Sequence, residues 1–139
     1  MTQQTGRALL IKVEGNTPGQ YVTACGFLAR SHSINNNMVD STVPDCVTPT
    51  NKVDENTVYG IQSQQFTGSG KFDNDAVGKQ VANAALNQTV LVAEVIVPGW
   101  GSIVGNWNVE NFSFSGEVEG NLDFEATFRL KGTGTFTAE

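Results

Sequence analysis

The chain has 139 residues, 39% hydrophobic and 16% charged, with 15 glycines; this suits one folded, turn-rich domain of the usual ~100–200 residues and excludes a disordered tail protein or a second domain. Fourteen acidic against eight basic side chains leave a net charge of −6, which argues against a duplex-DNA binder working by phosphate neutralisation and against attraction to anionic membranes. The longest apolar run, at 90–97, is far short of the ~18 residues of a membrane span. The opening MTQQTGR lacks the basic and apolar order of a secretory signal, so the chain is expected to fold in the cytosol. The sequons at Asn87 and Asn111 then carry no meaning, and Cys25 and Cys46 are expected to be reduced structural thiols.

In chain order, 8–13, 20–25 and 29–38 read as strands, the first two joined by the turn-forming GNTPG of 15–19, and the three together as a meander. Residues 40–56 hold only scattered apolar side chains, include Pro44 and Pro49, and are rich in Thr, Asn and Asp. A loop of that length is uncommon in a compact domain and is a candidate site. A further extended stretch covers 57–72. Over 75–87 the apolar residues Val77, Val81, Ala84 and Ala85 fall at i, i+4, i+7 and i+8, the spacing of one amphipathic helix. Asp73, Asn74 or Asp75 can cap its start and Asn87 suits its end. The run 90–97 is apolar except at Glu94, as expected of a strand covered on both faces.

The C-terminal third alternates with period 2. Ile103, Gly105, Trp107 and Val109 hold odd positions, whereas Phe112, Phe114, Gly116 and Val118 hold even ones. A one-residue slip would turn the whole apolar set to solvent, so the change of parity near Glu110 and Asn111 predicts a β-bulge or a bend. Gly120 and Asn121 are expected to form the hairpin turn. Beyond it Leu122, Phe124, Ala126, Phe128, Leu130 and Phe136 share one face, and Asp123, Glu125, Thr127, Arg129 and Lys131 the other.

Residues suited to chemistry are few. His32 is the only histidine, and Cys25, seven positions away, would lie on the opposite face of a shared strand. A catalytic dyad and a zinc site both lack partners. Asp73-Asn74-Asp75 opens like a calcium loop, but Val77 and Ala84 stand where ligands are needed, so the helix-cap reading is preferred. The pairs Gly68/Gly70, Gly99/Gly101 and Gly132/Gly134 lack the third glycine of a dinucleotide site and read as bends and bulges in curved strands. Trp100 and Trp107, without surrounding cations, read as core or interface aromatics. No enzyme, metal or cofactor is therefore expected. One charge feature stands out: Glu110, Glu117, Glu119, Asp123 and Glu125 have no base between them. On the hairpin just described they would form one acidic stripe, which from charge alone is a solvated face that discourages aggregation.

The order of these elements resembles the phage major tail protein family, the tail tube proteins of long-tailed bacteriophages. The resemblance runs over nearly the whole chain, through GRALLIKVEG, FLARSHSINNNMVD with its polar loop, FTGSGKF, the short helix, and FSFSGEVEGNLDFEATFRLKGTGTFTA. It implies a mainly β fold, an antiparallel β-sandwich or partial barrel with one flanking helix, in a single tail tube domain over 1–139. It also implies a structural virion protein without cofactor, whose hexameric rings, joined edge to edge through long strands, stack into a tube around a channel for DNA ejection. The implied partners are further copies of the chain, tail initiator and terminator proteins and the tape measure protein. DNA would pass without tight binding, no membrane would be involved, and assembly would occur in the host cytoplasm. In that setting Glu117, Glu119, Asp123 and Glu125 would line the channel and repel phosphate over about a Debye length, ~8 Å. Arg30, His32 or Arg129 on the same side would dilute that field. Asp40, Asp45, Lys52, Asp54 and Glu55 would belong to a loop reaching between rings, mobile in the free subunit. Two other classes remain open on the residues alone: a carbohydrate-binding or adhesion β-sandwich using Trp100 or Trp107, and a small β-barrel enzyme. Both should run near the 14.9 kDa of one chain, whereas a tube protein should form rings or polymers.

Overall fold

The computed structural model describes residues 3, 6–14, 19–23, 27–44, 46–72 and 76–139, with the side chains of Arg7, Ala76 and Val77 excepted. Cys25, Asp45, the candidate caps Asp73 to Asp75 and most of the 15–19 turn lie outside the described residues, as does the side chain of Val77. The elements are β1 (Leu10–Glu14), β2 (Tyr21–Thr23), β3 (Phe27–Asn35), β4 (Val39–Asp40), β5 (Thr57–Val58), β6 (Ser63–Lys71), α1 (Ala76–Asn87), β7 (Leu91–Val97), β8 (Gly101–Ser115) and β9 (Asp123–Ala138). Seven strands form one antiparallel sheet in the order β2-β1-β7-β8-β9-β6-β3, and β4 pairs with β5 in a separate ribbon.

Element types follow the sequence closely, but their arrangement differs in two respects. The three N-terminal strands do not form a meander: β3 pairs with β6 at the far edge of the sheet from β2. Nor is β9 an edge available for joining copies, because β8 and β6 flank it. The physical reason is the aromatic packing of Phe27 at the start of β3, edge-on to Phe66 at 6.2 Å and to Phe124 at 5.1 Å. A flat seven-stranded sheet would hold its edges about 29 Å apart, yet β2 ends at Thr23 and β3 begins at Phe27, a stretch that spans at most about 14 Å. The sheet must therefore curl into a half-barrel. Arg30 of β3 reaches across to the start of β1: its guanidinium donates to the Leu9 carbonyl at 3.0 Å, and also to the Phe27 carbonyl of its own strand at 3.0 Å.

The core fills the concave side. Trp107, Phe66, Phe128, Val13 and Val95 are fully buried there, and α1 covers it with Val81 and Ala84. The helix end differs slightly from expectation. Asn87 is its last residue, and Gln88 takes the left-handed conformation (φ 57°) while Thr89 N–H donates to the Ala84 carbonyl at 3.1 Å, a Schellman-type closure.

The parity change lies where the alternation places it. Val109 pairs with Phe128 and Asn111 with Thr127, so Glu110 is the extra residue of a bulge. It keeps Trp107, Val109, Phe112 and Phe114 on one face of β8 despite their mixed numbering. A second irregularity lies between Val104 and Asn106, opposite Gly132, whose φ of 71° suits glycine. Gly68 has a different use from a bend: a Cβ there would overlap the Phe27 ring. Phe27 is held by Phe66 and Phe124 and has nowhere to retreat, so Gly68→Ala should cost about 1–3 kcal/mol as an overpacked site. A urea midpoint shift with unchanged slope would measure it; an unchanged midpoint would show that the ring moves freely.

Candidate functional site

The convex face of the sheet is open among the described residues, and its composition follows from the register. Rows run straight across four strands: Ser31, Thr67, Thr127 and Asn111 form one, and Ser33, Gln65, Arg129 and Asn108 the next. Towards the sheet end come Ser69, Glu125 and Ser113, then Lys71, Asp123 and Ser115. The central face is thus hydroxyls, amides and a few charges. The bulge at Glu110 is what brings Asn111, Ser113 and Ser115 to the same side as Asn106 and Asn108.

The expected acidic stripe does not form. β8 ends at Ser115, opposite Asp123, and the connection turns at 117–120, with Gly120 N–H donating to the Glu117 carbonyl at 3.1 Å. Glu117 and Glu119 therefore stand on an exposed turn beyond the sheet, not on a strand. Asp123 forms an ion pair with Lys71 at 2.6 Å, and Glu110 one with Arg129 at 3.5 Å. Both pairs are half exposed, so each adds at most about 1 kcal/mol, but both cancel charge on the face. On the β6, β9 and β8 part, Lys71, Arg129 and Lys131 balance Glu110, Asp123 and Glu125. Lys71 lies 52 residues before Asp123, beyond the reach of any local charge count. Only Arg129 of the three residues set aside as diluting cations is on this face; Arg30 and His32 face the core through their pairing with Gly68 and Phe66.

His32 is half-buried, edge-on to the Trp107 ring at a centroid distance of 6.4 Å. Burial lowers its pKa from the ordinary 6.5, and the neighbouring Gln64 side chain works the other way. A lowered folded pKa means that the unfolded chain binds the proton more readily. The contribution of His32 is thus intact above pH 6.5, lost progressively as the pH falls from 6.5 towards the folded pKa, and constant below it. Between pH 7 and 5 the wild type should lose more stability than His32→Gln, as followed by urea unfolding; parallel curves would remove His32 as the cause.

The second candidate is an arm spanning 36–62, which continues the β3–β6 hairpin. Val39 pairs with Val58 and Asp40 with Thr57; Gly60 N–H donates to the Asn36 carbonyl at 2.9 Å and Ser41 N–H to that of Asn56 at 2.8 Å. Asn37 takes the left-handed conformation (φ 46°) and its amide donates to the Ile61 carbonyl at 2.6 Å. The stretch expected as irregular loop therefore has an ordered base, with Asp40 inside a strand. The Thr42 hydroxyl, at 2.5 Å, and its N–H, at 2.9 Å, hold the exposed Asp40 carboxyl below its ordinary pKa of 3.8. Lys52 and Asp54 pair at 3.4 Å in full solvent, and Glu55 and Cys46 are exposed. Sequence alone did not single out the arm's exposed apolar side chains: Val43, Tyr59 and Ile61 are 74, 76 and 82% exposed. Their spacing carries no periodic signal, so only the fold shows that nothing in the core takes them. The tryptophans divide as core and surface: Trp107 is buried, and Trp100 is 46% exposed against Phe136 at 4.7 Å.

A curled antiparallel sheet with a helix over its core face, an open polar face and a protruding arm defines a β-protein that presents large surfaces. Residues 3–136 match the sequence profile of the phage tail tube protein family, and the chain belongs to that family. It is a tail tube structural protein of phage-like particles. Among solved structures it is similar to a chain in the tail of an empty gene transfer agent particle, determined by helical refinement with C6 symmetry. That match has 25% identity and a TM-score of 0.86, covering 98% of this chain and 100% of the other. A chain of the native gene transfer agent virion matches at 24% identity and TM-score 0.82, covering 98% and 100%. The SPP1 tail tube shares the fold at 11% identity and TM-score 0.67, covering 97% and 79%. No curated protein sequence matches.

Proposed function

We propose that this chain assembles as hexameric rings stacked into a tail tube, with the convex polar face lining the channel and the arm reaching between rings. The observation that carries the reading is the asymmetry of the sheet. Its concave face holds Trp107, Phe66 and Phe128 at zero exposure, while the rows from Ser31 to Asn111 and from Ser33 to Asn108 on the other face present only polar groups. Within one chain the outer edges of β2 and β3 have no strand partner among the described residues. Nine-residue β3 contains no proline, so it is a template for pairing that a ring neighbour would complete. The C6 symmetry of the gene transfer agent tail supports the ring number.

In this arrangement Asp123 and Glu125 belong to the channel wall, and Glu117 and Glu119 sit at its rim. The wall acts less by repulsion than by offering DNA no excess of cations: phosphates meet hydroxyls, amides and paired charges, so passage is weakly held. Asp40, Lys52, Asp54 and Glu55, with Asp45, belong to the inter-ring arm, and initiator, terminator and tape measure proteins are the partners at the tube's ends and interior. Assembly takes place in the host cytoplasm and the product is part of the virion tail.

Analytical ultracentrifugation and negative-stain microscopy of the purified chain, with and without tail initiator, test the proposal. Rings and tubes are expected, with each subunit contact burying at least the ~1,600 Å² of a standard interface. A chain that stays at 14.9 kDa at high concentration with initiator present would overturn it.

A further inference from the structure

We propose that the Trp107 indole N–H, the His32 Nε2 and the Gln64 side-chain carbonyl hold one buried water molecule between them, and that this site fastens edge strand β3 to β8 through the core.

Among the described residues, three side-chain polar atoms are shut off from solvent and satisfied by no group of the protein: Trp107 Nε1, His32 Nε2 and Gln64 Oε1. The register gathers them. Gln65 pairs with Arg129, and Leu130 with Trp107, so Gln64 and Trp107 flank Leu130 in one row on the concave face. His32 pairs with Phe66 in the adjacent row; its ring lies edge-on to Trp107 at 6.4 Å, and the Gln64 side chain neighbours it. Leu130 leans out of the space between them. A Cβ at Gly105 would stand 2.9 Å from one of its methyl carbons and a Cβ at Gly134 3.5 Å from the other, so the two glycines give those methyls room along β9, away from the row of His32. A buried polar atom without a partner has lost its hydration for no bond in exchange. Three at one place point to a partner they share.

The senses of the three atoms match a water. The indole N–H only donates. The Gln64 amide nitrogen donates to the Gln62 side-chain carbonyl at 3.2 Å, which fixes the orientation of the amide and leaves Oε1 as an acceptor. Burial favours neutral His32, and with its proton on Nδ1 the Nε2 atom is a second acceptor. One water accepts from Trp107 and donates to His32 and Gln64, the usual three bonds of an internal water. Direct pairing does worse: a Trp107–His32 bond leaves Gln64 unpaired, and a His32–Gln64 bond leaves the indole unpaired. A cation is repelled by the indole donor and an anion by the two acceptors. The site also has a mechanical role, because β3 lies at the sheet edge and pairs only with β6, and the water ties it to β8 two strands further in.

Nuclear magnetic resonance of the nitrogen-15-labelled full chain at pH 8 tests the site. The Trp107 indole proton should show a cross-peak to water with the sign of a molecule that tumbles with the protein, and the His32 nitrogen shifts should place the ring proton on Nδ1. The indole of Trp100, 46% exposed, is the control for contact with mobile solvent. Gln64→Leu removes one acceptor at similar size and should weaken the Trp107 cross-peak about fivefold, the effect of one net hydrogen bond. A Trp107 indole without a water cross-peak, or a His32 proton on Nε2, overturns the proposal, since the polar atoms then pair directly or stay unpaired. A cross-peak of unchanged strength in Gln64→Leu also overturns the three-way site. Should that variant not fold, the two wild-type measurements decide alone.

Discussion

Tails carrying Glu125→Lys together with Ser113→Lys should assemble normally and eject their genome more slowly than wild type, most of all at low ionic strength. The two positions pair across β9 and β8 on the open face and both side chains are exposed, so folding should change by no more than about 0.5 kcal/mol. On a face whose charges otherwise balance, the pair adds three positive charges per subunit, and six-fold symmetry multiplies them around the channel. Each lysine that contacts phosphate makes binding depend steeply on salt, so the delay should shrink as screening shortens the field below ~10 Å. Ejection rate against salt for the variant and wild type is the measurement. Equal rates at every ionic strength, with intact tails by microscopy, would falsify the channel assignment of this face.

Trp107→Ala should produce the largest loss of stability of any single truncation in the chain, about 3–5 kcal/mol out of the 5–15 kcal/mol typical of a domain. Trp107 has no exposed surface. It sits between Leu91 and Leu130 across three strands, with His32 edge-on to it, and it shares the core cluster with Val81 and Ala84 of the helix. Surroundings drawn from four other elements, β3, α1, β7 and β9, cannot collapse together into the space the indole leaves. Chemical denaturation reads the loss directly. A cost under about 1 kcal/mol would mean that the helix and sheet repack, and that Trp107 is not the keystone of the concave core.

The sequence by itself determined the element types, and in one place the position of an irregularity. The changed parity between Val109 and Phe112 marks a bulge or a bend because alternation is a local property; the pairing of Val109 with Phe128 and Asn111 with Thr127 makes it a bulge. The helix over 76–87 was legible for the same reason, since its period is written in consecutive residues. Sheet order was not, because Phe27 finds Phe66 and Phe124 across long stretches of chain, and strand pairing between distant segments leaves no periodic mark. The electrostatics of the candidate site failed in the same way. Five acids in a row along the chain look like one negative surface until the fold ends β8 at Ser115 and sets Lys71 beside Asp123 and Arg129 beside Glu110. Local composition fixes how much charge a segment carries; only the tertiary structure decides which opposite charge stands within a few ångströms, where the Coulomb interaction is large enough to cancel it.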